Sequence, residues 1–223
     1  MAEDDLSLGY VIKDSLIEAG YEVVLCPDGR TAIEKFSKES FDICLLDVMM
    51  PNQDGFTVLK WIRQHSDQVP ILMITAKSME EDRIYGFESG ADDYICKPFS
   101  MKELLMRIEV FFRRTKKLYS EKPLKFEIGT ITFLFNEYRL VLGQQVYNIT
   151  QRESELPLFL FENPNRVLTR KEILLQVWGS DDFYLGRSMD VFIAKLRKYF
   201  KADPSIHLET IHGTGFRFNA TVK

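Results

Sequence analysis

Polar residues that could take part in phosphoryl chemistry follow the short apolar runs in the first half of the chain. Asp47, Thr75 and Lys97 each come directly after such a run, and Glu3 and Asp4 precede the first helical pattern. Short apolar runs of this kind are typical of buried parallel strands. Because ligands bind beyond the carboxyl ends of parallel strands, we expect these side chains to meet at one edge of a sheet.

The combination of residue types indicates which ligand this edge would hold. Carboxylate oxygens are ligands that Mg²⁺ prefers, and an aspartate can accept a phosphoryl group as an acyl phosphate. Lysine and threonine can bind the phosphoryl oxygens. One such residue alone is more often the cap of a turn, but several at matching positions favour a phosphoacceptor site with a bound metal ion.

The rest of the first half supplies the elements that would position this edge. Predicted strands alternate with amphipathic helices; the strands are expected at 21–26, 41–46, 71–74 and 94–96. This alternation predicts a parallel sheet with helices on both faces, which is a doubly wound α/β domain.

The second half follows a different pattern. Alternating apolar residues between 126 and 148 predict a small antiparallel sheet. Two capping boxes follow, at Thr150 with Glu153 and at Thr169 with Glu172. A basic helix is then predicted at 188–200 and a glycine-rich hairpin at Gly213–Gly215. This order of elements indicates a winged helix-turn-helix. We therefore expect one domain at 1–117, a linker at 118–125 and a second domain at 126–223.

The charge distribution agrees with two domains of different function. Residues 1–118 hold 15 Lys and Arg against 21 Asp and Glu, whereas residues 119–223 hold 14 against 12. Five bases stand against one acid in residues 187–201. This asymmetry suits a cation-binding domain followed by a polyanion-binding one, although a basic helix face is about as often simply solvated.

The composition also indicates a compartment. Three cysteines without motif spacing are typical of reduced thiols, and neither a signal peptide nor a membrane span is predicted. We expect a cytoplasmic protein.

Four motifs together resemble those of response-regulator receivers of the OmpR/PhoB subfamily: EDD at 3–5, LLDVMMP at 45–51, ITA at 74–76 and GADDYICKPF at 90–99. The resemblance covers essentially the whole chain. It implies a CheY-like (flavodoxin-like) receiver followed by a winged-helix DNA-binding domain. It also implies that Asp47 is the phosphoacceptor and that Lys97 pairs with the phosphoryl group. The implied Mg²⁺ ligands are Asp4, Asp47 and the main-chain carbonyl of Met49, with Glu3 close by.

The resemblance further implies how the receiver is switched. Thr75 and Tyr94 correspond to a pair in which the hydroxyl turns toward the phosphoryl group and the aromatic ring follows inward. The Lys97–Pro98 peptide bond is expected to be cis. The phosphoryl donor would be a sensor histidine kinase, so the chain would not be a conventional enzyme. The residues implied to form a charged homodimer face are Arg83, Glu88, Asp92, Asp93, Glu103, Arg107 and Arg114.

The segment RSMDVFIAKLRKYF at 187–200 resembles the recognition helix of the subfamily, and TIHGTGFRF at 210–218 resembles its wing. We expect Lys195 to contact base edges of double-stranded DNA, with Val191 giving an apolar contact. The other implied DNA contacts, mostly to phosphates, are Arg187, Ser188, Arg197, Lys198, His212 and Thr214. The segment 181–186 resembles a loop that contacts RNA polymerase.

The largest departure from the subfamily lies before Glu3. Receivers of this kind carry a full hydrophobic strand there, the central one of the sheet, but only Met1 and Ala2 precede Glu3. We therefore expect a truncated receiver that lacks its first central strand. Exposed strand edges, weakened Mg²⁺ binding and lowered stability would follow.

Two other functions remain open at this point. One is a DNA-binding regulator that does not depend on phosphorylation and whose receiver acts only as a dimerisation module. The other is an aspartate-nucleophile phosphatase on a similar sheet. Such phosphatases carry a second aspartate two residues after the nucleophile, and this chain has Met49 there.

Overall fold

The computed structural model describes residues 1–76, 86–87, 89–118, 125–181, 183–204 and 206–219, except the side chains of 113–118 and 183–184. Contacts within the chain divide it into two units, Met1–Glu109 and Val110–Lys223. The predicted linker, 118–125, falls almost entirely outside the described residues. None of the described helices combines the length and the apolar character needed to cross a membrane.

The first unit is built on a parallel sheet with the strand order β1-β2-β3. Every residue of β1 and β2 is buried, as expected for strands covered on both faces. The register places Asp47 beside Ile74 and Thr75 beside Cys96, so the carboxyl ends of the strands coincide at one edge. The elements in chain order are α1 (Leu6–Glu18), α2 (Gly29–Phe36), β1 (Cys44–Asp47), α3 (Gly55–His65), β2 (Ile71–Thr75), β3 (Asp93–Cys96) and α4 (Met101–Leu118), of which residues 101–109 belong to this unit.

The position of the sheet between Cys26 and β1 is filled by a short segment and not by a full strand. Ala2 forms parallel bridges to both Cys26 and Leu46. Its amide donates to the carbonyl of Leu45 at 2.8 Å, and its carbonyl accepts from the amide of Asp47 at 2.9 Å. Of the strand predicted at 21–26, only Cys26 takes part in a bridge, because the segment opposite it supplies a single bridging residue.

Aspartates fix the start of the first three helices. Asp5, Asp28 and Asp54 accept hydrogen bonds from backbone amides in the first turns of α1, α2 and α3. Such a cap typically contributes about 1 kcal/mol. Part of the acidic charge of the first half therefore stabilises helices, and Asp5 is a cap and not a member of the predicted metal site.

The second unit contains two antiparallel sheets. Along the chain, the strands of the first sheet precede the α-helices that begin in this unit, and those of the second lie between and after these helices. The strand orders are β4-β5-β6-β7 and β8-β10-β9, and β8 is a strand that the sequence did not predict. The predicted basic helix begins five residues earlier than expected, at Phe183. The elements are β4 (Lys125–Ile128), β5 (Ile131–Leu134), β6 (Arg139–Leu142), β7 (Gln145–Asn148), α5 (Gln151–Phe161), β8 (Val167–Thr169), α6 (Arg170–Val177), α7 (Phe183–Phe200), β9 (His207–Ile211) and β10 (Gly215–Asn219).

An aromatic core joins the sheets to the helices of the second unit. The ring of Phe161 on α5 lies 5.1 Å from that of Phe133 on β5 and 4.8 Å from that of Phe218 on β10. Phe200 at the end of α7 packs 5.6 Å from Phe218. Because large aromatic rings bury a large apolar area, this cluster contributes strongly to the packing of the unit.

Helix α5 begins with the predicted capping box and carries buried charges. The carboxylate of Glu153 accepts from the amide of Thr150 at 2.9 Å, and the Thr150 side chain accepts from the amide of Glu153. Arg152 is fully buried, and its Nη1 lies 2.7 Å from Glu155 Oε2. Pro157 lies inside the helix, which continues to its end at Phe161, and nothing in the structure requires a proline there.

Candidate functional site

Three charged side chains meet at the carboxyl edge of the parallel sheet. Asp47 is the last residue of β1, and Lys97 directly follows β3. Lys97 Nζ lies 2.7 Å from Asp47 Oδ2 and 2.8 Å from the carboxylate of Glu3. The structure thus brings together residues that the sequence places 94 positions apart.

Asp4 completes an acidic cluster at the same edge. One carboxylate oxygen from each of Glu3, Asp4 and Asp47 lies within 4.8 Å of the others. Glu3 and Asp47 are buried, whereas Asp4 is exposed to solvent. The amide of Met49 donates to Asp47 Oδ1 at 3.2 Å, which brings the backbone of this predicted ligand close to the cluster. Oxygen donors from separate segments, open on one side to water, suit a hard cation such as Mg²⁺.

Burial changes the proton affinity of the groups at this edge. Burial raises the pKa of Glu3 to about 7, although the hydrogen bond from Lys97 acts in the opposite direction. Burial also acts to lower the pKa of Lys97, but its hydrogen bonds to Asp47 and Glu3 outweigh burial, so that pKa is raised. Lys97 therefore stays charged near neutral pH and compensates the buried carboxylates.

The predicted switch residues lie on the neighbouring strands. Thr75 ends β2, is buried, and its carbonyl accepts from the amide of Lys97 at 2.7 Å. Tyr94 on β3 is also buried and packs edge-on against Phe87, with ring centroids 4.7 Å apart. Its ring thus occupies the inward position that the resemblance associates with the phosphorylated receiver. The Lys97–Pro98 bond is cis, as expected.

Gly86 provides the space that the Tyr94 ring occupies. A Cβ atom at position 86 would lie 1.3 Å from the Tyr94 hydroxyl and 2.6 Å from Tyr94 Cζ. This role of Gly86 is not visible in the sequence, because a glycine in a helical segment carries no signal about a side chain eight residues away. The inward position of Tyr94 therefore requires that residue 86 has no side chain.

We expect Gly86→Ala to destabilise the first unit by about 1–3 kcal/mol, because the added methyl group overpacks the site. Urea denaturation followed by the fluorescence of Trp61, which lies in this unit, measures the change. In a Tyr94→Ala background the same substitution should cost much less, because the overlap with the Tyr94 ring is removed and the remaining close contact, with Phe56 Cε1 at 2.9 Å, involves the far end of a side chain. An equal loss in both backgrounds would show that Gly86 does not make room for Tyr94.

Asp92, a residue of the predicted dimer face, is paired within its own domain. Its side chain is fully buried, lies 2.6 Å from Arg63 Nη2 and accepts from the amide of Ile71 at 2.9 Å. Arg63 also donates to the carbonyls of Gly90 and Val69. A contact of Asp92 with a second copy of the chain would first require this internal pair to break. It joins α3 to the start of β3.

Other residues of the predicted dimer face are also paired within one chain. Arg107 Nη1 lies 3.4 Å from Asp93 Oδ1, and Arg107 Nη2 lies 2.8 Å from Glu103 Oε1. Asp93 and Arg107 are buried, whereas the Glu103 side chain is 38% exposed. Arg83, Glu88 and the side chain of Arg114 lie outside the described residues. A dimer face that uses Asp93 and Arg107 would require pairs with the second chain to replace these internal pairs.

Three of the predicted DNA contacts on α7 turn toward the domain itself. Lys195 Nζ lies 3.0 Å from Glu153 Oε1, and Ser188 is buried. The guanidinium of Arg197 donates to Thr210 Oγ1 at 2.6 Å. A DNA contact by these residues stays a prediction. It would require Lys195 and Arg197 to leave their internal partners and the buried Ser188 to become accessible.

The other predicted DNA contacts lie at the surface. Arg187 and Lys198 on α7 are exposed, as are His212 and Thr214 in the hairpin, and Val191 is partly exposed. The predicted polymerase loop at 181–186 is largely helical, because α7 begins at Phe183.

Glu153 and Arg63 hold predicted site residues in place, a role that no sequence pattern indicates. Glu153 was explained by the capping box, and Arg63 lies in a helix with no unusual pattern. Their partners, Lys195 and Asp92, are distant in sequence, so no local spacing signals either pair.

Two family descriptions match this chain. The "Response regulator receiver domain" matches residues 1–109, and the "Transcriptional regulatory protein, C terminal" matches residues 143–218. The first match contains the acidic cluster with Lys97, and the second contains α7 and the β9–β10 hairpin.

Individual relatives extend over both units. The transcriptional regulatory protein RprY of Bacteroides fragilis is 41% identical over 97% of this chain and 92% of its own length. The response regulator MprA of Mycobacterium leprae is 36% identical over 98% of this chain and 96% of its own length. The solved structure of the response regulator DrrB of Thermotoga maritima, described as an OmpR/PhoB homolog, is 27% identical with a TM-score of 0.52, and covers 98% of this chain and 97% of that one.

These matches confirm the fold class and the family that the motifs predicted. A receiver with a parallel sheet precedes a winged-helix DNA-binding domain, and both domains match in that order. The chain therefore belongs to the OmpR/PhoB-type response regulators, the transcriptional regulators of two-component systems.

Proposed function

We propose that a sensor histidine kinase phosphorylates Asp47, and that phosphorylation promotes receiver dimerisation and DNA binding. The observation that carries this proposal is the position of Asp47, whose Oδ2 lies 2.7 Å from Lys97 Nζ at the edge of the acidic cluster. A carboxylate placed between an ammonium group and candidate metal ligands has the surroundings that an acyl phosphate requires.

The transfer step needs a nucleophile and positive charge, but no side-chain base. One carboxylate oxygen of Asp47 attacks the phosphorus of a phosphohistidine, forming a P–O bond while the P–N bond breaks. The imidazole nitrogen keeps the electron pair of that bond and takes up a proton from solvent. Glu3, Asp4, Asp47 and the carbonyl of Met49 would hold Mg²⁺, which when bound neutralises charge on the phosphoryl oxygens.

Lys97 and Thr75 are positioned to bind the new group. Lys97 would exchange its contact with the Asp47 carboxylate for one with a phosphoryl oxygen, which requires little movement of its ammonium group. Thr75, at the end of the adjacent strand, would donate its hydroxyl proton to another phosphoryl oxygen. Tyr94 would then be held inward against Phe87 and above Gly86.

The second unit would deliver the output by binding double-stranded DNA. Its helix α7 exposes Arg187 and Lys198, and the hairpin exposes His212 and Thr214. A recognition helix of this kind enters the major groove, and a dimer would bind two half-sites about 10–11 bp apart. We place the dimer contact on the receiver around Glu103 of α4, whose side chain is partly exposed. The RNA polymerase contact around Asp181 stays a prediction.

The proposal is tested by measuring DNA affinity and oligomeric state before and after treatment with acetyl phosphate and Mg²⁺. We expect treatment to raise affinity and produce dimers in the wild type but not in Asp47→Asn, which removes the acceptor and keeps the side-chain size. Asp28→Asn, a change at a partly exposed helix cap, is the matched control and should respond as the wild type does.

A second candidate function is DNA binding that does not depend on phosphorylation. It is favoured by the short segment beside β1, because Glu3 and Asp4, two of the candidate metal ligands, follow a single bridging residue, Ala2. Equal affinity and equal dimer content before and after treatment, with Asp47→Asn unchanged, would establish this second function in place of the first.

A further inference from the structure

We infer that the second unit recognises its DNA site through a narrow apolar strip on α7 centred on Ala194, and that Lys195 is a structural residue. This inference rests on the proposed DNA-binding function and deepens it. The strip is defined as Arg187, Val191, Ala194 and Lys198. Its apolar centre fits the C5-methyl groups of thymines in the major groove.

The helical period places the four residues of the strip on one face. Their spacing of i, i+4, i+7 and i+11 is the spacing of a single helix stripe. Arg187, Ala194 and Lys198 are exposed, and Val191 is partly exposed. The opposite face of the helix is buried and contains Met189, Phe192, Ile193, Leu196 and Phe200. The strip therefore has a cation at each end, Arg187 and Lys198. Their Cα atoms are separated by about 16 Å along the helix, since each residue adds 1.5 Å.

Both borders of the strip consist of polar residues that are held by the domain. On one border, Lys195 pairs with Glu153 at 3.0 Å. On the other, Asp190 accepts two hydrogen bonds from Arg170, at 2.7 and 2.9 Å. Arg197 on the same border donates to Thr210 in β9. Before Lys195, Asp190 or Arg197 could contact a base, its contact within the domain would have to break.

The Lys195 contact is the most difficult of these to release. Its side chain is 19% exposed and that of Glu153 is 10% exposed, so the pair is largely shielded from water. The ammonium group also lies 5.5 Å from the centre of the Phe192 ring. Withdrawal of Lys195 would leave a nearly buried carboxylate without its cation, which is strongly unfavourable. Lys195 therefore joins α7 to the first turn of α5.

The chemistry left at the centre of the strip is that of methyl groups. In the major groove, thymine is distinguished by its C5-methyl group, which apolar side chains such as alanine contact directly. The small side chain of Ala194 lets the helix approach the base edges closely. Arg187 and Lys198 at the two ends would contact phosphates, which fix the position of the helix along the duplex.

The first test changes the DNA and leaves the protein intact. Full-length protein treated with acetyl phosphate selects binding sites from random duplex DNA, and each thymine of the selected half-site is then replaced by deoxyuridine, which lacks only the methyl group. We expect about a fourfold loss of affinity at one or more thymines, from about 0.8 kcal/mol per buried methyl-sized group. Replacement of thymines outside the half-sites is the control. A site in which no thymine responds would overturn the inference.

The second test compares two lysines of the same helix. Lys195→Met keeps the apolar stem, and we expect an unchanged selected sequence with affinity within about twofold, while the melting temperature falls. Lys198→Met should weaken binding to all sequences and reduce the slope of log affinity against log salt by about one. A loss of tenfold or more for Lys195→Met, or a changed base preference, would overturn the assignment, since a base-reading side chain contributes about 1–3 kcal/mol.

The two tests also separate this inference from the function on which it rests. Wild-type protein that selects no sequence at all would contradict the proposed DNA-binding function itself. If the wild type binds selectively, and the binding changes with Lys195→Met but not with deoxyuridine, the DNA-binding function stands and the apolar strip is refuted. If Lys195→Met proves too unstable to assay, Lys195→Arg preserves the pair with Glu153 and should leave the selected sequence unchanged.

Discussion

Arg152→Met is expected to lower the free energy of unfolding of the second unit by about 3–5 kcal/mol, the range for breaking a buried ion pair. The substitution leaves the buried carboxylate of Glu155 without its cation. It also removes a donor to the carbonyl of Val177 and the stacking of the guanidinium 4.6 Å from Phe111 and 5.3 Å from Trp178. Urea denaturation followed by the fluorescence of Trp178, which is buried in this unit, measures the loss.

A matched control separates burial of the pair from its charge. Arg166 Nη2 lies 2.7 Å from Glu172 Oε1, but the Arg166 side chain is 56% exposed. We expect Arg166→Met to change stability by no more than about 1 kcal/mol. Adding Glu155→Leu to Arg152→Met should recover much of the loss, because neither member of this buried pair then leaves an uncompensated charge. If the double variant is as unstable as the single one, the loss does not arise from the stranded carboxylate.

Lys97→Met is expected to destabilise the first unit by about 3 kcal/mol near pH 8 in Mg²⁺-free buffer, and by less near pH 5.5. The change removes the ammonium group that lies between Glu3 and Asp47. Burial raises the pKa of Glu3 to about 7 even with Lys97 present, so loss of Lys97 can only raise it further. At low pH Glu3 is protonated and carries no charge, so less uncompensated negative charge is buried when the ammonium group is absent.

The sign of this pH dependence follows from proton binding. Glu3 has a pKa of 4.5 in the unfolded chain and a higher one in the folded protein. Between these two values the folded state binds more protons, so stability increases as the pH falls and decreases as the pH rises through the folded pKa. Lys35→Met, which breaks an exposed pair with Glu39, is the control and should cost no more than about 1 kcal/mol at either pH. An equal loss for Lys97→Met at both pH values would argue against the raised pKa.

The edge of the parallel sheet was predictable because local patterns mark where each strand ends. Asp47, Thr75 and Lys97 each follow an apolar run, and the topology of α/β sheets brings such ends together. The caps of α5 and α6 were predictable for the same reason, since the side chains of Thr150 and Thr169 bond to amides three residues away. Features whose cause lies within a few residues are thus accessible from the sequence.

Features that depend on distant partners were not predictable. Asp92 and Lys195 carry the charges expected of a dimer face and of a DNA contact, but Arg63 and Glu153 hold them inside their domains. A sequence shows that a residue is charged and does not show which neighbour from another helix will pair with it. Likewise, the strand predicted at 21–26 has the right composition but only one bridging partner, Ala2.

The most direct test of the account is to locate the phosphoryl group. Full-length protein is incubated with acetyl phosphate in Mg²⁺ or in EDTA, and intact mass spectrometry with peptide mapping follows the product. We predict one added phosphoryl group, carried by Asp47, that forms only with Mg²⁺ and is absent from Asp47→Asn. Modification that persists in Asp47→Asn, or that proceeds equally well in EDTA, would contradict the central role of this site.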